Sequence, residues 1–131
     1  DIKFINRQKK SGTRMLIDEL FRRSSIDSEK VNGFENVEFT HSAVAAYVSS
    51  GMADVGIGIE TAARQFGLNF IPLTTEHYVL VCRNKTIKQL AVQRLIFEIQ
   101  TKEFHEAVLN LAGYKPVCRG EIIALEDMLP W

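Results

Sequence analysis

Several features that define common protein classes are scarce in this chain. Lysine plus arginine and aspartate plus glutamate number 16 each, so the formal net charge is zero. We therefore expect no direct nucleic-acid contact, although a local basic patch forms from Arg7, Lys9, Lys10 and Arg14. There is no apolar run long enough to span a membrane and no recognisable signal peptide. These absences predict a cytoplasmic protein with no membrane partner.

Cysteine and histidine are also scarce, with 2 and 3 residues in the chain. Neither residue type shows the spacing of metal ligands, so we predict no metal site. Cys82 lies in an apolar run and is predicted to be a buried free thiol, while a disulfide with Cys118 stays open. Ser11 and Ser42 have no base and orienting acid in a known order. We therefore expect no cofactor and no enzymatic activity in this chain, and the activity of a longer parent protein stays open.

Strand patterns and helical periodicities alternate along the chain. The content of 46% hydrophobic and 24% charged residues fits one globular domain. The spacing resembles that of parallel crossovers, which predicts an α/β fold: a three-layer sandwich with a mostly parallel sheet and helices on both faces. Strands are predicted at 2–6, 37–39, 53–59, 68–73 and 77–83. Helices are predicted from Gly12 to before Ser24, from Thr40 to Gly51, and over 60–66, 88–100 and 103–111. The tail from 117 is predicted to form a short strand and turn.

One stretch combines a buried strand, a polar turn and the start of a helix. It runs over residues 4–20, and its turn ends in Ser11-Gly12-Thr13-Arg14. The first N–H groups of a helix have no internal partner, and the helix dipole adds partial positive charge there. The turn therefore predicts an anion site. Two alternatives without a ligand stay open. Ser11 can be a helix cap and nothing more, and Arg14 can pair with Asp18 at i+4.

Other candidate ligand-binding residues follow from the topology. In open parallel sheets, ligands bind beyond the carboxyl ends of the strands, where the turns 11–14, 40–42 and 58–61 converge. His41 can also be an ordinary hydrogen-bonded surface residue, Glu60 suits a helix start whatever the function, and Gly56-x-Gly58 favours close packing over a nucleotide loop. The predicted ligand-binding residues are Ser11, Gly12, Thr13, Arg14, Thr40 and His41, followed by Lys10, Ser42, Gly58 and Glu60.

A set of motifs resembles one group of type II periplasmic-binding-protein-like domains. This group is described as substrate-binding domains of molybdate-related proteins, fused to helix-turn-helix or molybdopterin-biosynthesis domains. The resemblance covers residues 4–83 and, more loosely, 104–113. Two positions depart from the expected pattern: Lys10 stands where the group usually has glycine, and Ile59 stands where true molybdate-binding proteins often have a tyrosine that contacts the oxyanion. The motifs are Asn6-Arg7-Gln8, Ser11-Gly12-Thr13-Arg14, Thr40-His41, Val44-Ala45-Ala46 with Val48, Gly51-x-Ala53-Asp54-x-Gly56-Ile57-Gly58-Ile59, Ala62-Ala63, Phe70-Ile71-Pro72-Leu73 and Glu76-x-Tyr78.

The resemblance implies a two-lobed fold that holds its ligand between the lobes. This chain would be a single lobe, with residues 1–83 as its core and 84–131 as C-terminal helices and tail. The first lobe and the fused domain would lie elsewhere in a longer protein, and the exposed inner face could pair two copies into a homodimer.

The implied function is a sensor for a small anion. Molybdate or tungstate is favoured, and sulfate and phosphate stay open. An alternative is the effector-binding domain of a LysR-like transcription regulator, in which Arg14 would hold an organic acid. An enzyme of molybdopterin assembly would need the fused partner.

Overall fold

A computed structural model of the chain describes residues 1–117 and 120–128. The chain divides into two compact units, residues 1–73 and the residues from 74 onward. Within the described residues, no helix has the length and apolar character needed to cross a membrane.

The first unit is built on a small parallel sheet with the strand order β2-β1-β3. Asn6 of the central strand lies opposite Val37, and Phe4 lies opposite Val55. This arrangement confirms an α/β fold with a parallel sheet and helices. The elements are β1 (Phe4–Arg7), α1 (Gly12–Arg23), β2 (Val37–Glu38), α2 (His41–Ser49), β3 (Val55–Gly56) and α3 (Glu60–Gln65), with a short 3-10 helix at Ser28–Lys30.

The central strand β1 is buried along its whole length. Phe4 packs with Ile17 of α1 and with Phe34, whereas Ile5 packs with Val44 of α2. Successive side chains of a strand point to opposite faces of the sheet. The two helices therefore cover opposite faces of β1, and the hydrophobic core of this unit forms around that strand.

The second unit is helical. It contains a short 3-10 helix at Asn84–Thr86, α4 (Leu90–Gln100), α5 (Lys102–Leu109) and a single turn, α6 (Leu125–Met128). The predicted helices at 88–100 and 103–111 are confirmed within two residues at each end. The helical turn α6 occupies part of the tail that was predicted to form a short strand and turn, and Cys118 lies outside the described residues.

The strands predicted at 68–73 and 77–83 are wrong. Residues 68–83 are all described, and none of them pairs in a sheet. Leu80 and Val81 are 73% and 74% exposed. An apolar run forms a strand only where a neighbouring strand accepts and donates its backbone hydrogen bonds, and no described part of the chain does this for residues 68–83. Cys82 is consequently an exposed free thiol and not the buried one that the apolar run predicts.

Helices α1, α2 and α3 end with the same backbone turn, in which one residue has a positive φ. Gly51 (φ +75°) and Gly67 (φ +67°) hold this position after α2 and α3. After α1 the position is held by Ser25, with φ +53°. Its N–H donates to the carbonyl of Arg22, and the N–H of Ile26 donates to that of Phe21 (2.9 Å), as in a Schellman motif. Ser25 is therefore a non-glycine residue whose backbone adopts the left-handed conformation that favours glycine.

We predict that Ser25→Gly raises the free energy of unfolding by about 1 kcal/mol, because it removes the steric cost of a left-handed residue. Urea denaturation followed by circular dichroism measures the change. The matched control is Gly51→Ser, which introduces the same cost after α2 and should lower the free energy of unfolding by a similar amount. An unchanged midpoint in both variants would contradict this account of the helix ends.

Candidate functional site

The carboxyl ends of the three parallel strands meet at one edge of the sheet. Helix α1 follows β1 there, and hydrogen bonds join its first turn to the end of the strand. The Ser11 hydroxyl donates to the carbonyl of Gln8 (3.0 Å), and the Arg14 Nη1 donates to the carbonyl of Arg7 (3.3 Å). The start of α1 is thereby held against the last residue of the central strand.

Arg7, at the end of β1, is the most unusual residue at this edge. It is only 7% exposed. Its Nη1 lies 2.9 Å from Nδ1 of His41, and its Nη2 donates to the carbonyl of Phe39 (3.1 Å). Among the described residues, its buried Nε has no hydrogen-bond partner and no carboxylate lies within 4.0 Å of the guanidinium. A buried cation is normally paired, so Arg7 carries a positive charge that neutral acceptors leave uncompensated.

His41 is the first residue of α2, and its contact with Arg7 indicates which ring nitrogen carries the proton. A guanidinium can only donate hydrogen bonds, so Nδ1 of His41 accepts, and the neutral imidazole carries its proton on Nε2. A Cβ at Gly58, just after β3, would lie 3.6 Å from the same Nδ1. Two predicted site residues, His41 and Gly58, are therefore brought together beside Arg7.

The turn before α1 is organised as a helix cap. The Ser11 hydroxyl accepts from the N–H of Arg14 (3.1 Å). Within the described residues, the N–H groups of Gly12 and Thr13 have no acceptor, as expected for the first turn of a helix. A Cβ at Gly12 would meet nothing within 4 Å, so the space outside this turn is open. The donors that remain at this turn are therefore main-chain N–H groups.

The charge of Arg14 is matched within α1. Its Nε lies 2.8 Å from Oδ1 of Asp18, and its side chain is 12% exposed. Its guanidinium carbon also lies 4.5 Å from the centre of the Phe34 ring. The i+4 pairing that the sequence left open is thus the one the structure adopts.

The other predicted site residues occupy separate positions at helix starts. Thr40 caps α2, since its hydroxyl accepts from the N–H of Ala43 (3.0 Å). Ser42 is exposed in the first turn of α2. Lys10 is exposed with φ +72°, a conformation that suits the glycine of the resembled group. Glu60 begins α3 and pairs with Arg64 at 3.2 Å.

Gly56 serves packing, as the sequence predicts for the Gly56-x-Gly58 pair. A Cβ there would lie 2.6 Å from Cγ1 of Val44 and 2.7 Å from Cγ2 of Ile5. Helix α2 therefore approaches the sheet closely at β3, which places the start of α2 at the edge where Arg7 lies.

The sequence placed Arg7 in a local basic patch and in one motif of the family resemblance, but not among the predicted ligand-binding residues. Its burial depends on tertiary packing, which no local pattern reports. A signal was nevertheless available, because Arg7 directly follows three residues of a buried strand and precedes the polar turn. Its neighbour Gln8 also has a buried side-chain oxygen without a donor. In the residues that the structure describes, no cluster of three or more His, Cys, Asp or Glu side chains could hold a metal.

A sequence profile of the PBP superfamily domain matches residues 1–100. The chain belongs to the PBP superfamily. The periplasmic-binding-protein-like domains of this superfamily are in general ligand-binding domains and not enzymes. The matched range contains Arg7, His41 and the helix starts at the sheet edge.

Two relatives are similar to this PBP superfamily member. An uncharacterized protein, YvgK of Bacillus subtilis (strain 168), is 38% identical over 124 residues, which is 94% of this chain and 39% of that protein. An uncharacterized protein in the ferredoxin 2Fe-2S gene 5′ region of Clostridium pasteurianum is 33% identical over 110 residues, 83% of this chain and 97% of that protein. The chain thus spans about two-fifths of the Bacillus relative. No solved structure matches the chain significantly.

The cap role of Ser11 can be tested apart from any ligand. We predict that Ser11→Ala lowers the free energy of unfolding by about 1 kcal/mol, because the N–H of Arg14 loses its acceptor. Ser11→Asp should remain close to the wild type, since aspartate caps helices equally well and suits the positive end of the dipole. Urea denaturation in anion-poor buffer gives both values. Equal destabilisation by the two substitutions would contradict the cap.

Proposed function

We propose that this chain is the anion-binding part of a sensor domain and that its ligand is a small oxyanion. Molybdate or tungstate is the favoured ligand, and sulfate and phosphate belong to the same chemical class. The observation that carries the proposal is the buried guanidinium of Arg7, which has no acidic partner in the described residues. An anion would supply the missing negative charge.

The local charge favours a doubly charged ligand. Arg7 contributes one full positive charge, whereas the charge of Arg14 is matched by Asp18. Helices α1 and α2 both begin at this edge, and each of their starts adds about +0.5 of an elementary charge, whereas the start of the six-residue helix α3 carries the acidic Glu60. The sum of about two positive charges matches a dianion such as molybdate, tungstate or sulfate.

The available hydrogen-bonding groups also suit an oxyanion. The Nε–H of Arg7 and the N–H groups of Gly12 and Thr13 are donors without acceptors in the described residues. The hydroxyls of Ser11 and Thr40 already accept from their helix starts. These hydroxyls therefore support the site by fixing the helix starts, and the main chain and Arg7 would bind the anion. Such donors recognise a ligand by its geometry and its charge.

The sensor would act through the rest of a longer protein. A two-lobed, three-layer binding fold would enclose the ligand between this chain and a first lobe. The Bacillus relative is long enough for such an arrangement, since the chain spans 39% of it. Closure of the lobes would then signal to a fused DNA-binding or molybdopterin-biosynthesis domain in the cytoplasm.

An organic acid is the second candidate ligand, as in LysR-like regulators. The guanidinium of Arg7 supports it, because a guanidinium donates in a fork that fits a carboxylate. A monocarboxylate would leave about one positive charge unmatched at this edge, which favours the oxyanion. A dicarboxylate is the fairest competitor in a binding experiment.

We predict that molybdate or tungstate raises the melting temperature of the chain. A ligand at about 100 times its dissociation constant stabilises a protein by roughly 2.7 kcal/mol. The stabilisation should disappear in Arg7→Met, which removes the charge, and in Ser11→Asp, which keeps the cap but repels an anion. Differential scanning fluorimetry with molybdate, tungstate, sulfate, phosphate, chloride and succinate, at matched ionic strength, measures the shifts.

The control is Ser25→Gly, which changes stability at the far end of α1 and should keep the full ligand-induced shift. A shift with succinate alone would favour the organic-acid sensor. An oxyanion shift that persists in both Arg7→Met and Ser11→Asp would place the anion elsewhere and refute the proposed site.

A further inference from the structure

We propose that His41 is a positioning residue that sets the anion affinity of Arg7 by holding its guanidinium without neutralising it. This inference rests on the proposed function. It differs from a role as a direct ligand, because His41 would act through Arg7. The observation behind it is the 2.9 Å contact between Nη1 of Arg7 and Nδ1 of His41.

The contact fixes one side of the guanidinium. Nη1 meets Nδ1 of His41, and Nη2 donates to the carbonyl of Phe39 at 3.1 Å. Two acceptors on two nitrogens hold the plane of the group, and the buried Nε–H is left without a partner among the described residues. An arginine side chain otherwise has large rotamer freedom, so a held guanidinium loses less entropy when it binds an anion.

Whether the contact also neutralises the charge of Arg7 depends on the chemical type of the acceptor. The neutral imidazole of His41 accepts a hydrogen bond and adds no negative charge. Arg14 gives the contrast within the same chain, since the carboxylate of Asp18 both holds and neutralises it. The sheet edge therefore contains one arginine held by an acid and one held by neutral acceptors. Only the positive charge of Arg7, the arginine held by neutral acceptors, is therefore available to attract a ligand.

The surroundings of His41 leave room for this contact. His41 is the first residue of α2, whose start is fixed by the Thr40 cap. Gly58 faces the ring without crowding it, because a Cβ there would lie 3.6 Å from Nδ1. The imidazole is thus placed by α2 and given space by the end of β3.

Three substitutions at position 41 separate the possible roles. Oδ1 of asparagine stands where Nδ1 of histidine stands, one bond beyond Cγ, so His41→Asn keeps a neutral acceptor. His41→Asp has the same shape and adds a negative charge. His41→Ala removes the acceptor. Ser49→Ala, at the other end of α2, is the control for a general effect on that helix.

Titration calorimetry with sodium molybdate gives the affinities. We expect His41→Ala to bind about tenfold more weakly, the equivalent of one hydrogen bond of about 1.4 kcal/mol. His41→Asn should stay within about threefold of the wild type. His41→Asp should bind at least about tenfold more weakly despite keeping the acceptor, because its charge neutralises Arg7. Ser49→Ala should match the wild type.

A spectroscopic signature completes the test. The side-chain N–H signals of Arg7 in ¹⁵N-resolved NMR should be sharp and slow to exchange in the wild type and in His41→Asn. They should broaden in His41→Ala, because the guanidinium is no longer held. Sharp Arg7 signals in His41→Ala would overturn the positioning role even in the absence of any anion.

The remaining outcomes are distinguishable. If His41→Asn binds as weakly as His41→Ala, the imidazole contacts the anion directly and the inference is wrong. If His41→Ala binds like the wild type while Arg7→Met does not bind, the proposed function stands and this inference fails. If the wild type binds none of molybdate, tungstate, sulfate, phosphate or succinate, the proposed function fails and the inference falls with it.

Discussion

This sheet edge depends on one constraint, the burial of an arginine charge that has no acidic partner in the part of the chain that the structure describes. Arg7 ends the central strand, and the strand cannot move outward because Phe4 and Ile5 anchor it in the two hydrophobic clusters. Asn6, fully buried, accepts from the N–H of Arg7 and donates to the carbonyl of Phe34. The core therefore fixes the backbone of Arg7, and the cost of burying its charge can be offset only at the edge itself.

The two arginines at this edge are held in opposite ways, and that difference gives the edge its electrostatic character. Arg14 stacks on Phe34, pairs with Asp18 and donates to the carbonyl of Arg7. It acts as a structural clamp between α1 and β1. Among the described residues Arg7 has only neutral acceptors, so its field adds to those of the two helix starts. An anion at this edge would be attracted by the charge of Arg7, whereas the charge of Arg14 is already matched by Asp18.

The sequence predicts well whatever depends on local interactions. The helices depend on side chains within a few residues of each other, and their predicted bounds are recovered closely, whereas Ser11 stayed open between a cap and a ligand site. The runs 68–73 and 77–83 carry strong strand patterns but do not pair, because a strand needs a partner that is distant in sequence. The importance of Arg7 was missed for the same reason: its burial comes from α2 and from the segment before it, more than 30 residues away.

Small hydroxyl residues at a helix start cannot by themselves separate a cap from a ligand site. At Ser11 the oxygen accepts from the N–H of Arg14 and the proton goes to the carbonyl of Gln8, so the side chain has most of its hydrogen-bonding capacity in use. What the cap leaves over is main chain, namely the N–H groups of Gly12 and Thr13. The N-cap position can be occupied by a side chain with either a hydroxyl or a carboxylate, whereas an anion site at the same position tolerates only the neutral hydroxyl. Serine satisfies both requirements. A negative charge at position 11 would therefore preserve the helix cap but abolish anion binding, and this difference separates the two roles.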